Sequence, residues 1–305
     1  MRNLTLRQIR IFMQAAKQKS FSRAAEELHI TAPAVSLQIK EMEENMGVSL
    51  FSRENRKTEM TSAGEYFFLY ARRVLNTLDE ASIMMERLRG STAGALKIGM
   101  VSTAQYFFPQ ILVKFKAECP NVQIFVEIRN RQQLVELLHN GDIDIAIMGQ
   151  PPKDIDTRVE PFANHPHAFI ASPRIPLADK TNISPQVLNK FELIIREPGS
   201  GTRIIMEKFL NDHSLSPIVG MVMSSNEAIK QAVMADLGIS FVSLHTVGEE
   251  VNRGRLVILD VEGTPIARSW HAVALNKRHV SQAAETFRYF MLEKGSEIIN
   301  EMFNV

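Results

Sequence analysis

The feature that most constrains the fold of this chain is an abrupt change in sequence pattern near residue 95. Residues 5–46 show only helical periodicity, with apolar side chains recurring every three or four positions. From Ala95 onward, short β-branched runs such as "LKIGMV", "VQIFVEI" and "IDIAIMG" alternate with helical patterns such as "QQLVELLHN". This alternation indicates a mostly parallel α/β sheet, or two smaller ones, with helices on the faces. The sequence therefore predicts a helical N-terminal domain followed by an α/β domain.

Residues 62–89 link these two parts as one amphipathic segment, predicted to be a continuous helix about 40 Å long. A helix with one apolar stripe needs a partner: a second copy of itself is the simplest, and packing on its own domain is the alternative. "GSTAG", residues 90–94, is expected to end the helix as a hinge. The stripe consists of Phe67, Tyr70, Val74, Leu78, Ala81, Met85 and Leu88.

Charge is distributed unevenly along the 305 residues, although the formal net charge is only +1. Residues 1–57 carry 10 Lys and Arg against 6 Asp and Glu, whereas residues 91–305 carry 21 against 23. A nucleic-acid surface, if present, must therefore lie near the N-terminus. The single cysteine excludes an internal disulfide and fits a reducing compartment. With no signal-like N-terminus and no long apolar run, we expect a soluble cytoplasmic protein with no membrane partner.

The stretch "SFSRAAEELHITAPAVSLQIKEME" has the spacing of a helix-turn-helix. Thr31 is a good N-cap for the second helix, and Pro33 is tolerated in its first turn. Val35 is predicted to face the core, which leaves the start of this helix free to enter a major groove. A helical hairpin that binds no DNA is the alternative.

The next stretch, "LFSRENRKTEMTSAG", places Arg53, Arg56 and Lys57 in a short polar excursion. It is predicted to be a hairpin wing whose charges contact phosphates or the minor groove, making DNA binding dependent on salt. A solvated basic loop is the alternative.

Together these stretches resemble the DNA-binding signature of LysR-type transcriptional regulators, including "PAVS", "LF" and the "TSAG" that opens the linker helix. Many members of that family carry Gln where this chain has Ala32, so a base contact made by that Gln is absent. Recognition of the DNA sequence is then expected to depend on Thr31, Pro33, Ser36 and Gln38. A Ser or Gln side chain can bond a base edge, whereas proline offers only apolar contact.

The resemblance covers the whole chain and implies three parts. These are a winged helix-turn-helix over residues 1–61, a linker and dimerisation helix over 62–90, and a two-lobed effector domain over 91–305. The effector domain is expected to be similar to periplasmic binding proteins. Its lobe one would comprise about residues 91–164 and 269–305, and its lobe two about residues 165–268.

Several longer strings, among them "NRQQLVELL", "REPGSGTR" and "SSNEAIKQAVMADLGISFVSLHTVG", resemble the CbbR branch, which regulates Calvin-cycle carbon-fixation operons. The resemblance implies a small anionic effector, with NADPH, phosphoenolpyruvate and ribulose bisphosphate as candidates. It also implies two dimers forming a tetramer that bends promoter DNA and alters access of RNA polymerase. A LysR-type regulator of another operon remains the alternative.

Local chemistry independently predicts an anion site. "PGSGT" precedes a helix pattern, so it can direct backbone N–H groups, the hydroxyls of Ser200 and Thr202, and the Arg203 cation toward a ligand. Helix capping is the alternative for the hydroxyls of Ser102, Thr103 and Thr202, and a surface ion pair is the alternative for Arg203. Further effector residues are expected at other strand ends and near the interlobe crossing, namely Ser102, Thr103, Gln150 and His167.

No catalytic or metal site is predicted. "GSGT" lacks the lysine of a P-loop and the pattern of a nucleophile elbow. His165 and His167 have no second ligand cluster, and Asp142 and Asp144 have no identifiable acid or base partner. We therefore expect no enzyme activity and no cofactor. A stand-alone solute-binding protein is the alternative from another class, followed by a nucleotide-using enzyme.

Overall fold

The computed structural model describes residues 4–52, 58–88, 94–276 and 281–303. It divides the chain into two compact units, residues 1–85 and residues 86–305. The predicted wing cations Arg53, Arg56 and Lys57 lie outside the described residues. Within the described ranges, no helix combines the length and apolar character needed to cross a membrane.

The first unit contains three short helices, a two-stranded hairpin and the beginning of a long helix. Their bounds are α1 Leu6–Gln18, α2 Phe21–Glu27, α3 Ala32–Met46, β1 Phe51–Ser52, β2 Glu59–Met60 and α4 Ser62–Leu88. The hydroxyls of Thr5, Ser20 and Thr31 accept hydrogen bonds from backbone N–H groups in the first turns of α1, α2 and α3. These N-caps define where each helix begins.

The core of the first unit is built around Phe12, whose ring centroid lies 5.4 Å from that of Phe51 and 4.9 Å from that of Phe67. Val35 is fully buried, as the helix-turn-helix spacing predicts. Phe67 therefore packs on its own unit. For this residue of the α4 stripe the structure shows the alternative, packing on its own domain, and not a contact with a second copy.

Two close contacts fix the hairpin and the start of α4. The Glu43 carboxylate accepts hydrogen bonds from the backbone N–H groups of Leu50, at 2.7 Å, and Phe51, at 3.1 Å. Gly64 lies in the first turn of α4, where an added Cβ would stand 2.1 Å from the Leu50 carbonyl oxygen. Only glycine allows the helix to approach this backbone so closely.

The second unit contains two five-stranded mixed sheets. The first has the order β4-β3-β5-β12-β6, with β3 parallel to β4 and β5, and β12 antiparallel to β5 and β6. Its elements are β3 Gly94–Val101, a 3-10 turn Ser102–Tyr106, α5 Phe108–Glu118, β4 Val122–Arg129, α6 Arg131–Asn140, β5 Ile145–Met148, β6 Thr157–Asn164, β12 Ser269–Leu275 and α10 Gln282–Phe303.

The second sheet has the order β11-β7-β10-β8-β9, in which β8 is parallel to β10 and β9. Its elements are β7 His167–Ala171, a 3-10 turn Pro185–Lys190, β8 Leu193–Arg196, α7 Gly201–Asp212, β9 Val219–Met223, α8 Asn226–Met234, β10 Ile239–Ser243, a 3-10 turn Leu244–Thr246, α9 Gly248–Asn252 and β11 Val257–Ile258.

The chain crosses between the sheets twice, after Asn164 and before Ser269, and the two crossings pair with each other. The His165 N–H donates to the Arg268 carbonyl at 2.7 Å, and His167 bridges to Ile266. The crossings therefore form a two-stranded connection between the lobes. The carboxyl ends of parallel strands in both sheets face the space beside it, where ligands bind in α/β folds.

Candidate effector cleft and DNA-reading helix

A cleft lies between the two sheets of the second unit, with an empty space of about 390 Å³. Its walls are the ends of β3, β4, β5 and β8, the first turn of α7 and the interlobe crossing. The lining residues are Val101, Ser102, Thr103, Asn130, Arg131, Met148, Gly149, Gln150, His165, His167, Arg196, Ser200, Gly201, Thr202 and Ile205. Six of the seven predicted effector residues are among them, and Arg203 is not.

The first turn of α7 lines the cleft with Ser200, Gly201 and Thr202. Ser200 occupies the N-cap position but makes no side-chain capping hydrogen bond. The Ser200 side chain therefore does not cap this helix. An uncapped first turn keeps backbone N–H groups available, and the helix dipole makes this end favourable for an anion.

The arginine of "REPGSGTR" that lines the cleft is Arg196 and not the expected Arg203. Arg203 lies outside the cleft lining; its guanidinium pairs with Glu207 at 2.6 Å and donates to the Arg196 carbonyl at 3.1 Å. Arg196 ends β8, is almost fully buried, and lines the cleft. The surface ion-pair alternative therefore describes Arg203, because the third residue of α7 faces away from the cleft.

The charge of Arg196 is balanced within the second lobe. The two oxygens of the Glu197 carboxylate accept from its Nε at 2.8 Å and its Nη2 at 3.0 Å. Its Nη1 donates to the Asn226 side chain, and Nη2 also donates to Ser102 Oγ at 3.3 Å. Ser102 belongs to the other lobe, so its bond to Arg196 joins the two lobes at the cleft. As an accepting hydroxyl, it retains its own hydrogen to donate.

Arg131 is a cleft cation that sequence reasoning did not identify. Its Nε donates to the Gln150 carbonyl at 2.9 Å, and its Nη2 donates to the Pro151 carbonyl at 3.2 Å. Neutral carbonyl partners hold the guanidinium in place without neutralising it. Arg131 lies two residues past the end of β4, as Gln150 lies two residues past the end of β5, so the strand-end rule used for Gln150 was sufficient to find it.

Two histidines of the crossing, His165 and His167, also line the cleft. Their ring centroids are 4.1 Å apart. Burial lowers the pKa of His167 to about 3 and the pKa of His165 well below its usual value. Both rings are therefore neutral at cellular pH. The structure brings His165 to the cleft together with His167.

The predicted reading residues lie at the start of α3 in the first unit. Pro33 and Ser36 are exposed, and Thr31 caps the helix through Ala34 N–H at 3.4 Å. Gln38 is half-buried, and its amide donates to the Glu41 carboxylate at 2.9 Å. Leu37, which was not predicted, is 55% exposed on this helix.

The comparisons with known proteins agree on one family for both units. The model for "Bacterial regulatory helix-turn-helix protein, lysR family" matches residues 6–65, and the model for "LysR substrate binding domain" matches residues 89–296. The predicted fold class, a helix-turn-helix unit joined to a two-sheet α/β effector unit, is confirmed.

Individual relatives cover nearly the entire chain. The transcriptional regulator CfxR of Cupriavidus necator is 42% identical over 99% of this chain and 96% of its own. The RuBisCO operon transcriptional regulator of Allochromatium vinosum is 39% identical over 97% of this chain and 98% of its own. Among solved structures, the CcmR regulatory domain of Synechocystis PCC6803 in complex with 2-PG is 35% identical, with a TM-score of 0.63, covering 65% of this chain and 96% of that one.

Proposed function

The chain belongs to the LysR family of bacterial transcriptional regulators, and from this premise we propose that it controls carbon-fixation genes in response to a small anionic metabolite. The observation that carries the metabolite proposal is the uncapped first turn of α7 in the same cleft as Arg131. The carbon-fixation assignment is supported by similarity to the RuBisCO operon regulator. As a regulator of chromosomal genes, the protein acts in the cytoplasm.

The predicted effector residues retained in this proposal are the hydroxyls of Ser200 and Thr202, with Ser102, Thr103 and Gln150 from the opposite lobe. Phosphoenolpyruvate and ribulose bisphosphate are preferred to NADPH because they are smaller anions. The 2-PG ligand of the CcmR domain supports a compact anion of this kind.

Sequence readout is assigned to α3. We propose that Ser36 bonds a base edge and that Pro33 gives an apolar contact, with Thr31 and Ala32 at the entry to the groove. Gln38 reaches a base only by releasing Glu41, to which its amide is bonded at 2.9 Å. Phosphate contacts are assigned to Arg53, Arg56 and Lys57 on the basis of the sequence.

Self-association is assigned to α4. Phe67 packs inward, but Tyr66 is 70% exposed and Tyr70 is 61% exposed, and Val74 is also exposed. Aromatic residues on one helix surface form an apolar patch that a second copy would cover. From the family resemblance we propose that two such dimers form a tetramer that bends DNA. The bend would alter access of RNA polymerase. The division of the chain after residues 61 and 90 is likewise a proposal.

Coupling between effector and DNA is proposed to act through lobe closure. The lobes already meet beside the cleft, where the Gln132 N–H donates to the Gly199 carbonyl at 3.3 Å. A ligand held by both α7 and Arg131 favours the conformation in which these groups are close, and it shifts the population toward that conformation. We propose that this binding involves no catalytic turnover, and incubation of each candidate with the protein followed by product analysis tests that point.

The principal experiment is a fluorescence-anisotropy titration of the full chain on its own upstream DNA, over a salt series. It is repeated with phosphoenolpyruvate, ribulose bisphosphate, NADPH and 2-PG. We expect salt-sensitive binding that one of the smaller anions alters. If no candidate alters DNA binding, the protein is still a DNA-binding regulator, but the proposed effectors are wrong.

Two variants separate the two sites. Thr202→Ala is expected to abolish the metabolite response while leaving DNA affinity unchanged, and Arg203→Ala serves as its control because Arg203 lies outside the cleft. Ser36→Ala is expected to reduce sequence preference with little loss of nonspecific affinity. Loss of DNA binding in Thr202→Ala would instead assign a structural role to this hydroxyl.

A further inference from the structure

The cleft contains a hydrogen-bond acceptor for which the described residues supply no donor. His167 Nδ1 lies 3.0 Å from the carbonyl oxygen of His165. A carbonyl can only accept, so Nδ1 carries the hydrogen, and in the neutral ring Nε2 then carries a lone pair. Nε2 is buried, and in the described part of the chain it has no hydrogen-bond partner. Because His167 lines the cleft, a bound ligand is the natural source of that donor.

The surroundings of His167 keep its ring neutral. Burial lowers its pKa to about 3, and His245 and Arg268 act in the same direction, while its bond to His165 opposes them only in part. The cleft also contains the cations Arg131 and Arg196. A positive charge on the imidazole is therefore disfavoured from several sides. An anionic ligand must satisfy Nε2 by bringing its own hydrogen.

We propose that His167 Nε2 accepts a hydrogen bond from an O–H group of the effector, so that the cleft selects an anion that also carries a proton-bearing oxygen. This inference rests on the proposed effector role of the cleft. The O–H group has two chemical sources, which are an alcohol of a hydroxylated phosphate or acid, and the remaining proton of a hydrogen phosphate group. A ligand with neither leaves a buried acceptor unpaired and binds weakly.

A matched pair of ligands tests this selection. 2-Phosphoglycerate and 2-phospholactate share one anionic framework and differ by a single hydroxyl. Their affinities for the full chain are measured by calorimetry at about pH 8, where the phosphate group, with a second pKa of about 6, is fully ionised. If the alcohol is the donor, 2-phosphoglycerate binds roughly tenfold more tightly or better.

The pH dependence distinguishes the second source. If hydrogen phosphate is the donor, the two ligands bind equally, and both lose affinity by roughly tenfold per pH unit as the pH rises above about 6. Equal affinities that do not change between about pH 6 and pH 8 would overturn the inference.

Variants of His167 separate this role from a structural one. His167→Phe retains an aromatic ring to stack on Phe241, whose centroid lies 5.8 Å away, but it removes the acceptor. We expect it to abolish the ligand discrimination or the pH dependence while DNA affinity stays unchanged. His167→Gln places an amide oxygen near the former Nε2 and is expected to restore part of the discrimination. Discrimination that persists in His167→Phe contradicts the inference.

The test also separates this inference from the proposed function. If neither phosphate ligand nor any candidate effector binds the unaltered chain, the proposed effector cleft itself fails. If anions bind and His167→Phe weakens all of them equally, the cleft remains an effector site, and only the role of His167 is lost.

Discussion

The indole ring of Trp270 stacks on the imidazole of His165, with 3.7 Å between ring centroids and 14° between planes. Trp270 is the single tryptophan of the chain, and its Nε1–H donates to His245 at 3.0 Å. Because His165 lines the effector cleft, the only indole in the protein lies one ring away from the proposed ligand.

Intrinsic fluorescence is therefore expected to report effector binding without a label. A ligand that shifts the His165 ring changes the environment of the stacked indole, so the emission of Trp270 should change saturably with effector concentration. The same titration of Thr202→Ala should give little or no change at the same concentrations. A full response in this variant would show that the signal arises away from the first turn of α7.

Stability of the second unit should fall as the pH decreases from about 6.5 toward 4. The pKa of His167 is about 3 and that of His245 about 4, both lowered chiefly by burial. Below about pH 6.5 the unfolded chain takes up protons that the folded chain does not, so each ring removes up to ~1.4 kcal/mol of unfolding free energy per pH unit. Above pH ~6.5 the effect of these groups is absent.

Urea unfolding followed by Trp270 emission measures this dependence, because the indole lies in the second unit. Between about pH 7.5 and pH 5 we expect a loss of at least ~2 kcal/mol. His167→Phe should reduce that loss by ~1–2 kcal/mol, since one titrating ring is removed. His139→Gln changes an exposed histidine and should leave the loss as it is. If His167→Phe loses as much unfolding free energy on acidification as the unaltered chain, the pH dependence does not arise from the His167 ring.

The hairpin of the first unit depends on Glu43. Glu43→Ala leaves the Leu50 and Phe51 N–H groups buried without their carboxylate acceptor, at a cost of ~2–4 kcal/mol. We expect a lower thermal midpoint in circular dichroism and weaker binding to all DNA, because the wing follows β1. Glu44→Ala is the matched control: its exposed pair with Lys40, at 3.6 Å, contributes less than about 1 kcal/mol. Equal effects of the two substitutions would contradict this role.

The strands show how far the sequence predicted the α/β unit. Runs such as "IDIAIMG" and "GISFVSL" became β5 and β10, in which every residue is buried. The edge strands β6 and β9 were missed; β9 has no buried residue, and β6 has only Phe162 buried. β12 was missed although "WHAVAL" is apolar and largely buried, and nothing in the structure explains that omission.

The cleft shows a different limit of sequence reasoning. The loop "REPGSGTR" and the strand-end residues Ser102 and Gln150 were expected at one site, and they line the same cleft because parallel strands bring their carboxyl ends together. Which arginine of the loop faces the ligand depends on how α7 rotates onto the sheet, and local spacing does not encode that rotation. His165 lies at the cleft on the first crossing, whose backbone pairs with the second crossing at Arg268 at 2.7 Å, and local spacing does not encode this long-range pairing.

Arg131 lines the cleft, whereas Arg203 lies outside it. Arg131→Met removes a cation held in the cleft by the Gln150 and Pro151 carbonyls. Arg203→Met removes a cation of the same type that pairs with Glu207 outside the cleft. A charge-assisted bond to an anion contributes about 1.5–3 kcal/mol, so Arg131→Met should weaken effector binding by roughly tenfold or more.

Calorimetric titration of both variants with phosphoenolpyruvate and 2-PG makes the comparison direct. Arg203→Met should bind like the unaltered chain, since a partly exposed ion pair contributes little and lies away from the ligand. The loss in Arg131→Met should shrink as salt is added, because screening weakens the attraction that this charge supplies. If Arg203→Met is the weaker binder, the guanidinium outside the cleft is the anion ligand, and α7 must rotate when the effector binds.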